Sequence, residues 1–228
     1  PLCVHTIAYQ LVPVLYMIPL AIGIGLSVRI GTVLPVDVSH AKRLAAYAVP
    51  FTGVIGFGIA VGLYHYRIWI VSLFTTDPLI INGCDAIWGN VCIYVFFLFL
   101  FGINSGILRA LGLQWRVAKT MIIVLWCGFL PLIARVCLWR GGGLEAMWRI
   151  LPVTYVVLDV ALALCYICAD WTVISDGIRE KARLSAIAAA GGDDDDDDNG
   201  GRDTGEKSST VHKEHTFLLE GDSDRNKN

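Results

Sequence analysis

Charge is scarce in this sequence. Of its 228 residues, 17% are Asp, Glu, Lys or Arg and 55% are hydrophobic, giving a mean hydropathy of +0.60. A soluble domain carries about 25% charge, so water is excluded as the solvent for most of the chain. The Gly-rich Lys loop of the Walker type, the Gly-x-Ser-x-Gly elbow and the His-Glu-x-x-His pair are also missing. ATP-driven and familiar hydrolytic chemistry are therefore not indicated. The chain reads as non-enzymatic, with no catalytic residue, cofactor or nucleic-acid partner expected. No basic region, apolar stretch and cleavage site follow one another as in a signal peptide. The chain opens on Pro1 rather than Met, so an upstream portion is expected. Its seven cysteines lack the regular spacing of a disulfide scaffold and read as small apolar residues. Cys165-x-x-Cys168 has no second ligand pair nearby, and His5 and His65 fall at predicted membrane edges, so no metal site is expected.

What the sequence has instead is long apolar runs. About 20 apolar residues suffice to cross hydrocarbon, where backbone amides must be satisfied within a helix. Five runs qualify: Val4 to Val28, Leu44 to Leu63, Ala86 to Leu108, Val117 to Leu138 and Ala146 to Ala169. The patch from Ile68 to Phe74 is too short to cross and is expected to lie in the interface or extend the second helix. The fold class is thus an all-α integral membrane protein, a bundle of about five transmembrane helices over residues 1–180. Pro13, Pro19, Pro50, Pro131 and Pro152 fall inside these helices, each removing a backbone hydrogen bond and inviting a kink. Gly58 and Gly62 make a Gly-x-x-x-Gly step that would allow close helix contact.

Alternate loops differ in charge. One side collects Arg29, Lys42, Arg43, Arg109, Arg116, Lys119, Arg179, Lys181 and Arg183; the other has Arg67, Arg140 and Arg149, with Arg135 nearby. The excess assigns the first side, and with it the C-terminus, to the cytoplasm. The start of the first helix is then outside, which calls for an odd number of helices upstream if the true N-terminus is cytoplasmic.

Asp159 stands mid-span in the fifth run. An ionised carboxylate there costs about 3 kcal/mol on insertion scales, so it normally faces a partner or a wet cavity. It is a candidate for ion coupling; the alternative is a structural interhelix hydrogen bond, to Arg135 or a hydroxyl. Gln10 and Tyr16 are candidate substrate contacts, since aromatic walls attract organic cations. Six positions separate them, about 600° of rotation, so they face about 120° apart and cannot both line one narrow stripe. Asn90 and Asn104 lie near one face of the third run as candidate polar glue.

Residues 193–228 hold 12 Asp/Glu against 5 Lys/Arg, including six consecutive aspartates from Asp193. That composition cannot bury a core, so residues 181–228 are expected to form a disordered acidic cytoplasmic tail. Within it Glu214, Leu218 and Leu219 resemble an acidic dileucine sorting signal. This would make a clathrin adaptor a partner and an endosomal or lysosomal membrane a destination beside the plasma membrane.

Several segments in order carry a resemblance. Tyr16-Met-Ile-Pro19, Ser27-Val-Arg-Ile-Gly31 and Ala41-Lys42 look like the eighth helix of eukaryotic multidrug and toxin extrusion (MATE) transporters and its exit. Leu73-Phe-Thr-Thr-Asp77 and Ile80-Ile-Asn82 resemble the approach to the tenth helix, and Ser105 to Gln114 its Gly-x-Leu-Arg exit. Phe129-Leu-Pro131 and Gly143 to Trp148 resemble the eleventh helix and the turn into the twelfth, and Asp170-Trp171 falls where the family closes its last helix. The resemblance implies helices eight to twelve of a twelve-helix fold. It also implies a secondary antiporter that exports organic cations or amphipathic compounds for protons or sodium, with the bilayer and a small molecule as partners. Two departures stand out. Gly31 to Asp37 lacks the two later glycines of the family pattern, and Leu98 occupies the position where many eukaryotic members keep an acidic residue. A non-transporting scaffold or partner subunit is the alternative reading, and a receptor-like or lipid-scrambling role a third.

Overall fold

The computed structural model describes residues 2–139 and 143–190; the rest of the tail, with Glu214, Leu218 and Leu219, lies outside the described residues. All regular structure among the described residues is helical. Among them, five helices are long and apolar enough to cross a membrane: Cys3–Val33, Val38–His65, Pro78–Ala110, Gln114–Cys137 and Glu145–Ile167.

Helix α1 (Leu2–Val33) runs through Pro13 and Pro19. Helix α2 (Val38–His65) starts where Asp37, in an extended conformation, accepts from the backbone amides of Ser39 and His40 at 2.8 and 3.0 Å, an N-cap that hydropathy alone does not register. Tyr66 interrupts the helix, and the apolar patch that follows forms the six-residue α3 (Arg67–Ser72), so it does not continue α2. Val71 tucks α3 into the core while Trp69 stays exposed. Helix α4 (Pro78–Ala110) begins at another Asp cap, Asp77, with Pro78 in its first turn. It starts eight residues before the apolar run because a capped helix carries Asn82 and Asp85 at its end without penalty. At its far end Gly112 adopts φ +70, and the Leu113 amide reaches back to Leu108 O at 2.9 Å, a Schellman stop that needs glycine at the left-handed position.

The fourth span is not a uniform α-helix. Helix α5 (Gln114–Met121) passes into a π-helical stretch, π1 (Ile122–Phe129), then a single α-turn, α6 (Leu130–Ile133), carrying Pro131, and a second π stretch, π2 (Ala134–Trp139). A proline ring clashes with the carbonyl four residues back, and widening the helix around it is one way to relieve that. Helix α7 (Gly143–Ile167) contains Pro152. Helix α8 (Trp171–Ala190) keeps the chain helical past residue 181.

Helix α4 is the axis of the bundle. Most of its apolar length is buried among α1, α2 and α7, whereas the apolar stretch of the fourth span has no buried residue. The main core gathers Trp88, Val91, Val95, Phe99 and Leu108 of α4 with Ile7, Val12, Leu158 and Leu162. A second cluster of Ile30, Leu34, Ala41, Ala45, Ile107 and Trp171 closes the other end. There the buried Ser175 hydroxyl donates to Leu34 O at 2.9 Å, and Arg179 donates to the carbonyl of Pro35, so α8 is tied to the α1–α2 loop.

The close approach within the bundle is made by other glycines than the expected pair. A Cβ added at Gly58 or Gly62 would meet nothing within 4 Å. At Gly106 it would sit 2.6 Å from Gly23 O, at Gly23 it would sit 2.6 Å from Gly102 O, and at Gly102 it would sit 2.8 Å from Pro19 Cβ. Gly102-x-x-x-Gly106 therefore lets the backbones of α1 and α4 touch. The Gly58 and Gly62 positions, on the open side of α2, meet no other helix among the described residues.

A buried carboxyl and amide pair in an aromatic column

Asp159 is buried, 6% exposed, near the middle of α7. Its partner is neither Arg135 nor a hydroxyl but Asn104, 4% exposed on α4, whose side-chain amide donates to Asp159 Oδ1 at 3.0 Å. The expected interhelix bond is thus present with a different donor, and Asn104 acts as the glue for which it was a candidate. The pairing is incomplete. Asp159 Oδ2 and Asn104 Oδ1 are both buried with no hydrogen-bond partner among the described residues. Orphan oxygens at such depth are expensive, since an unmet buried polar group costs about 1–3 kcal/mol.

Aromatic side chains lead to this pair. Tyr155, one turn before Asp159 on α7, meets Tyr94 edge-on at 4.9 Å and Phe101 at 5.7 Å. Phe101 stacks on Tyr16 of α1 at 6.3 Å, while Tyr94 continues to Trp148 at 6.2 Å and Trp148 to His5 at 5.8 Å. The column runs from the start of α1 to mid-span. Trp148 and Tyr94 are buried inside it, and Tyr16 and Tyr155 are half-buried at its edge. Tyr16 is thus joined to the Asp159 neighbourhood through Phe101 and Tyr155. Gln10 is exposed on another face of α1 and is not brought to the pair, as the 120° difference in facing required. The column was missed at the sequence level, although Tyr94 and Phe101 are two turns apart on one face and Tyr155 and Asp159 one turn apart, spacings that carry the signal. Cys165 is half-buried and Cys168 exposed, both unbridged.

Outside the pair, Asp85 near the start of α4 forms an ion pair with Arg67 of α3. The Arg67 guanidinium lies 4.9 Å over the Tyr64 ring. This cluster locks the α2–α3 corner to α4 and leaves Asp159 as the one acidic residue buried deep in a span among the described residues.

A bundle of apolar helices around a buried axial helix, with one deep carboxyl–amide pair among the described residues, defines a multi-pass membrane protein. The model of the MatE family matches residues 1–133, more than half of the chain, and the chain belongs to that family. It is 26% identical over 190 residues to multidrug and toxin extrusion protein 1 of Oryctolagus cuniculus, covering 81% of this chain and 33% of that protein. It is 27% identical over 186 residues to Protein DETOXIFICATION 12 of Arabidopsis thaliana, covering 80% of this chain and 38% of that one. The crystal structure of the eukaryotic MATE transporter AtDTX14 superposes with a TM-score of 0.72 at 21% identity, over 78% of this chain and 40% of that one, so the fold is shared. The chain spans a third to two-fifths of the length of these relatives.

Proposed function

We propose that this chain is the C-terminal lobe of a secondary active transporter that exports small organic cations or amphipathic xenobiotics in exchange for protons or sodium. In this reading Asp159 and Asn104 hold the coupling ion and Tyr16 belongs to the substrate wall. The observation that carries it is the buried pair with two orphan oxygens, in a chain whose family and fold are those of MATE proteins. One proton on Asp159 Oδ2 would turn an orphan acceptor into a donor, and Asn104 Oδ1 is a buried acceptor that lacks one. A dehydrated sodium ion would instead take both oxygens as ligands, as hard cations do. Either way the empty and loaded states differ by one positive charge at the centre of the helix bundle, which is what ion coupling requires. The half-buried rings of Tyr16 and Tyr155 offer faces to an organic cation, and Gln10 has no part in this site.

The orientation belongs to the same reading, with the tail and the Arg29, Lys42 and Arg43 end in the cytoplasm. So does sorting through Glu214, Leu218 and Leu219 by a clathrin adaptor to endosomal or lysosomal membranes. One observation favours a scaffold that no longer transports: Leu98, buried at 4% exposure, fills the position where a carboxylate was expected. Reconstituting the full-length protein in vesicles and measuring efflux of a fluorescent organic cation under a pH or sodium gradient decides between the two. Gradient-dependent efflux that Asp159→Asn abolishes supports coupling at the pair. No efflux from a folded protein supports the scaffold.

A further inference from the structure

The surface around the first turns of α2 combines charge and hydrocarbon in a set order. An open groove of about 510 Å³ lies between α1 and α2, bounded by Ile22, Gly25 and Arg29 on one side and by Tyr47, Phe51 and Thr52 on the other. Gly25 leaves its floor clear, since an added Cβ would meet nothing within 4 Å. Tyr47 and Phe51 are 72% and 65% exposed along its wall. Thr52 closes the inner end, fully buried, with a hydroxyl that has no hydrogen-bond partner among the described residues. Arg29 stands exposed at the rim and makes no ion pair among the described residues. Asp37, the nearest acid in sequence, is occupied in capping α2. On the other flank of α2 a groove of about 460 Å³ repeats the order, with Lys42 at the rim, Tyr166 and Trp171 beside it and Ala45 and Val49 below.

A cation at the rim, aromatic rings next to it and apolar walls deeper in match the layers of a lipid: phosphate, interface, acyl chain. A free phosphate would leave the apolar walls unused. A packed protein helix would have to bring its own acid to the guanidinium, since none of the described residues supplies one. We propose that the α1–α2 groove binds an anionic phospholipid of the bilayer, its phosphate held by the Arg29 guanidinium and one acyl chain lying along Gly25, Tyr47 and Phe51. The guanidinium presents paired donors that fit phosphate oxygens. The proposal stands whether or not the protein transports anything, and in a symmetric bilayer it does not depend on orientation.

The test is cross-linking in nanodiscs. The purified full-length protein is placed in phosphatidylcholine discs containing photoactivatable phosphatidylserine or, separately, photoactivatable phosphatidylcholine, and labelled peptides are mapped by mass spectrometry. The expected result is preferential phosphatidylserine labelling of the peptide containing Tyr47 and Phe51. Arg29→Gln should reduce it about fivefold, the value of one basic contact with an anionic surface, and reduce phosphatidylcholine labelling less, because that lipid's phosphate is already offset by its own choline ammonium. Arg29→Lys keeps the charge and should retain most of the preference, which separates lost attraction from lost folding. Equal labelling by the two lipids, or a preference that survives Arg29→Gln, would overturn the proposal. Absence of lipid labelling at these residues would also overturn it and mark the groove as covered by another part of the protein.

Discussion

Replacing Gly106 by alanine tests the packing of the bundle axis. The new methyl carbon would lie 2.6 Å from Gly23 O, 2.8 Å from Gly23 Cα and 3.0 Å from Gly23 C, where carbon atoms in contact prefer about 3.5–4.0 Å. All three are backbone atoms, so no rotamer change relieves the clash and α1 must move away from α4 by roughly 1 Å. A gap of that size forfeits a quarter to a half of the dispersion energy of each contact along the seam, and overpacking of this kind costs about 1–3 kcal/mol. Gly58→Ala and Gly62→Ala meet open space and should be neutral or stabilising by up to about 1 kcal/mol, as alanine is the better helix former. The assay is thermal unfolding of the purified full-length protein in detergent, followed by monodispersity on size exclusion. Gly106→Ala should lower the midpoint by about 1–3 °C, since the shift per kcal/mol shrinks as chain length grows, and Gly23→Ala similarly. If Gly106→Ala melts with the wild type while Gly58→Ala or Gly62→Ala falls, the assignment of the contact is wrong.

Asp159→Asn should preserve the fold, because the Asn104 amide keeps a carbonyl oxygen to donate to, whereas Asp159→Leu should cost about 1–3 kcal/mol by stranding that amide; thermal unfolding of the two variants distinguishes them. Asp37 is held below the ordinary aspartate value of 3.8, chiefly by the Ser39 hydroxyl and then by the His40 amide. Its contribution to stability is therefore complete above that ordinary value and is lost as pH falls through the lower folded value, so the acid limb of a pH–stability curve should flatten in Asp37→Ala. Ser175→Ala removes the buried bond to Leu34 O, worth about 0.5–1.5 kcal/mol, and hydrogen exchange in the first turns of α8 should quicken while that of α4 stays unchanged.

The five spans were legible because hydropathy integrates over many residues and does not depend on which neighbour a helix meets. Their ends were less so. Asp37 and Asp77 start α2 and α4 several residues before the apolar runs, since a cap is a local hydrogen-bond event with no hydropathic weight. Asp159 was legible as a buried carboxyl because a charge in an apolar run has few explanations. Its partner was not, because sequence does not say which face of α4 turns to α7. The same ignorance of facing led to Gly58 and Gly62 in place of Gly102 and Gly106, which fit the identical spacing. The π stretches around Pro131 leave no mark beyond the proline itself.

Where Gly23 of α1 meets Gly102 and Gly106 of α4, backbone rests on backbone. A joint of that kind has no rotamers to exchange, so at that point the two helices hold one fixed spacing. The fourth span is its mechanical opposite, two widened stretches hinged on one α-turn along the edge of the bundle. A change of spacing is therefore more costly at the glycine joint than along that strip, whose apolar stretch has no buried residue.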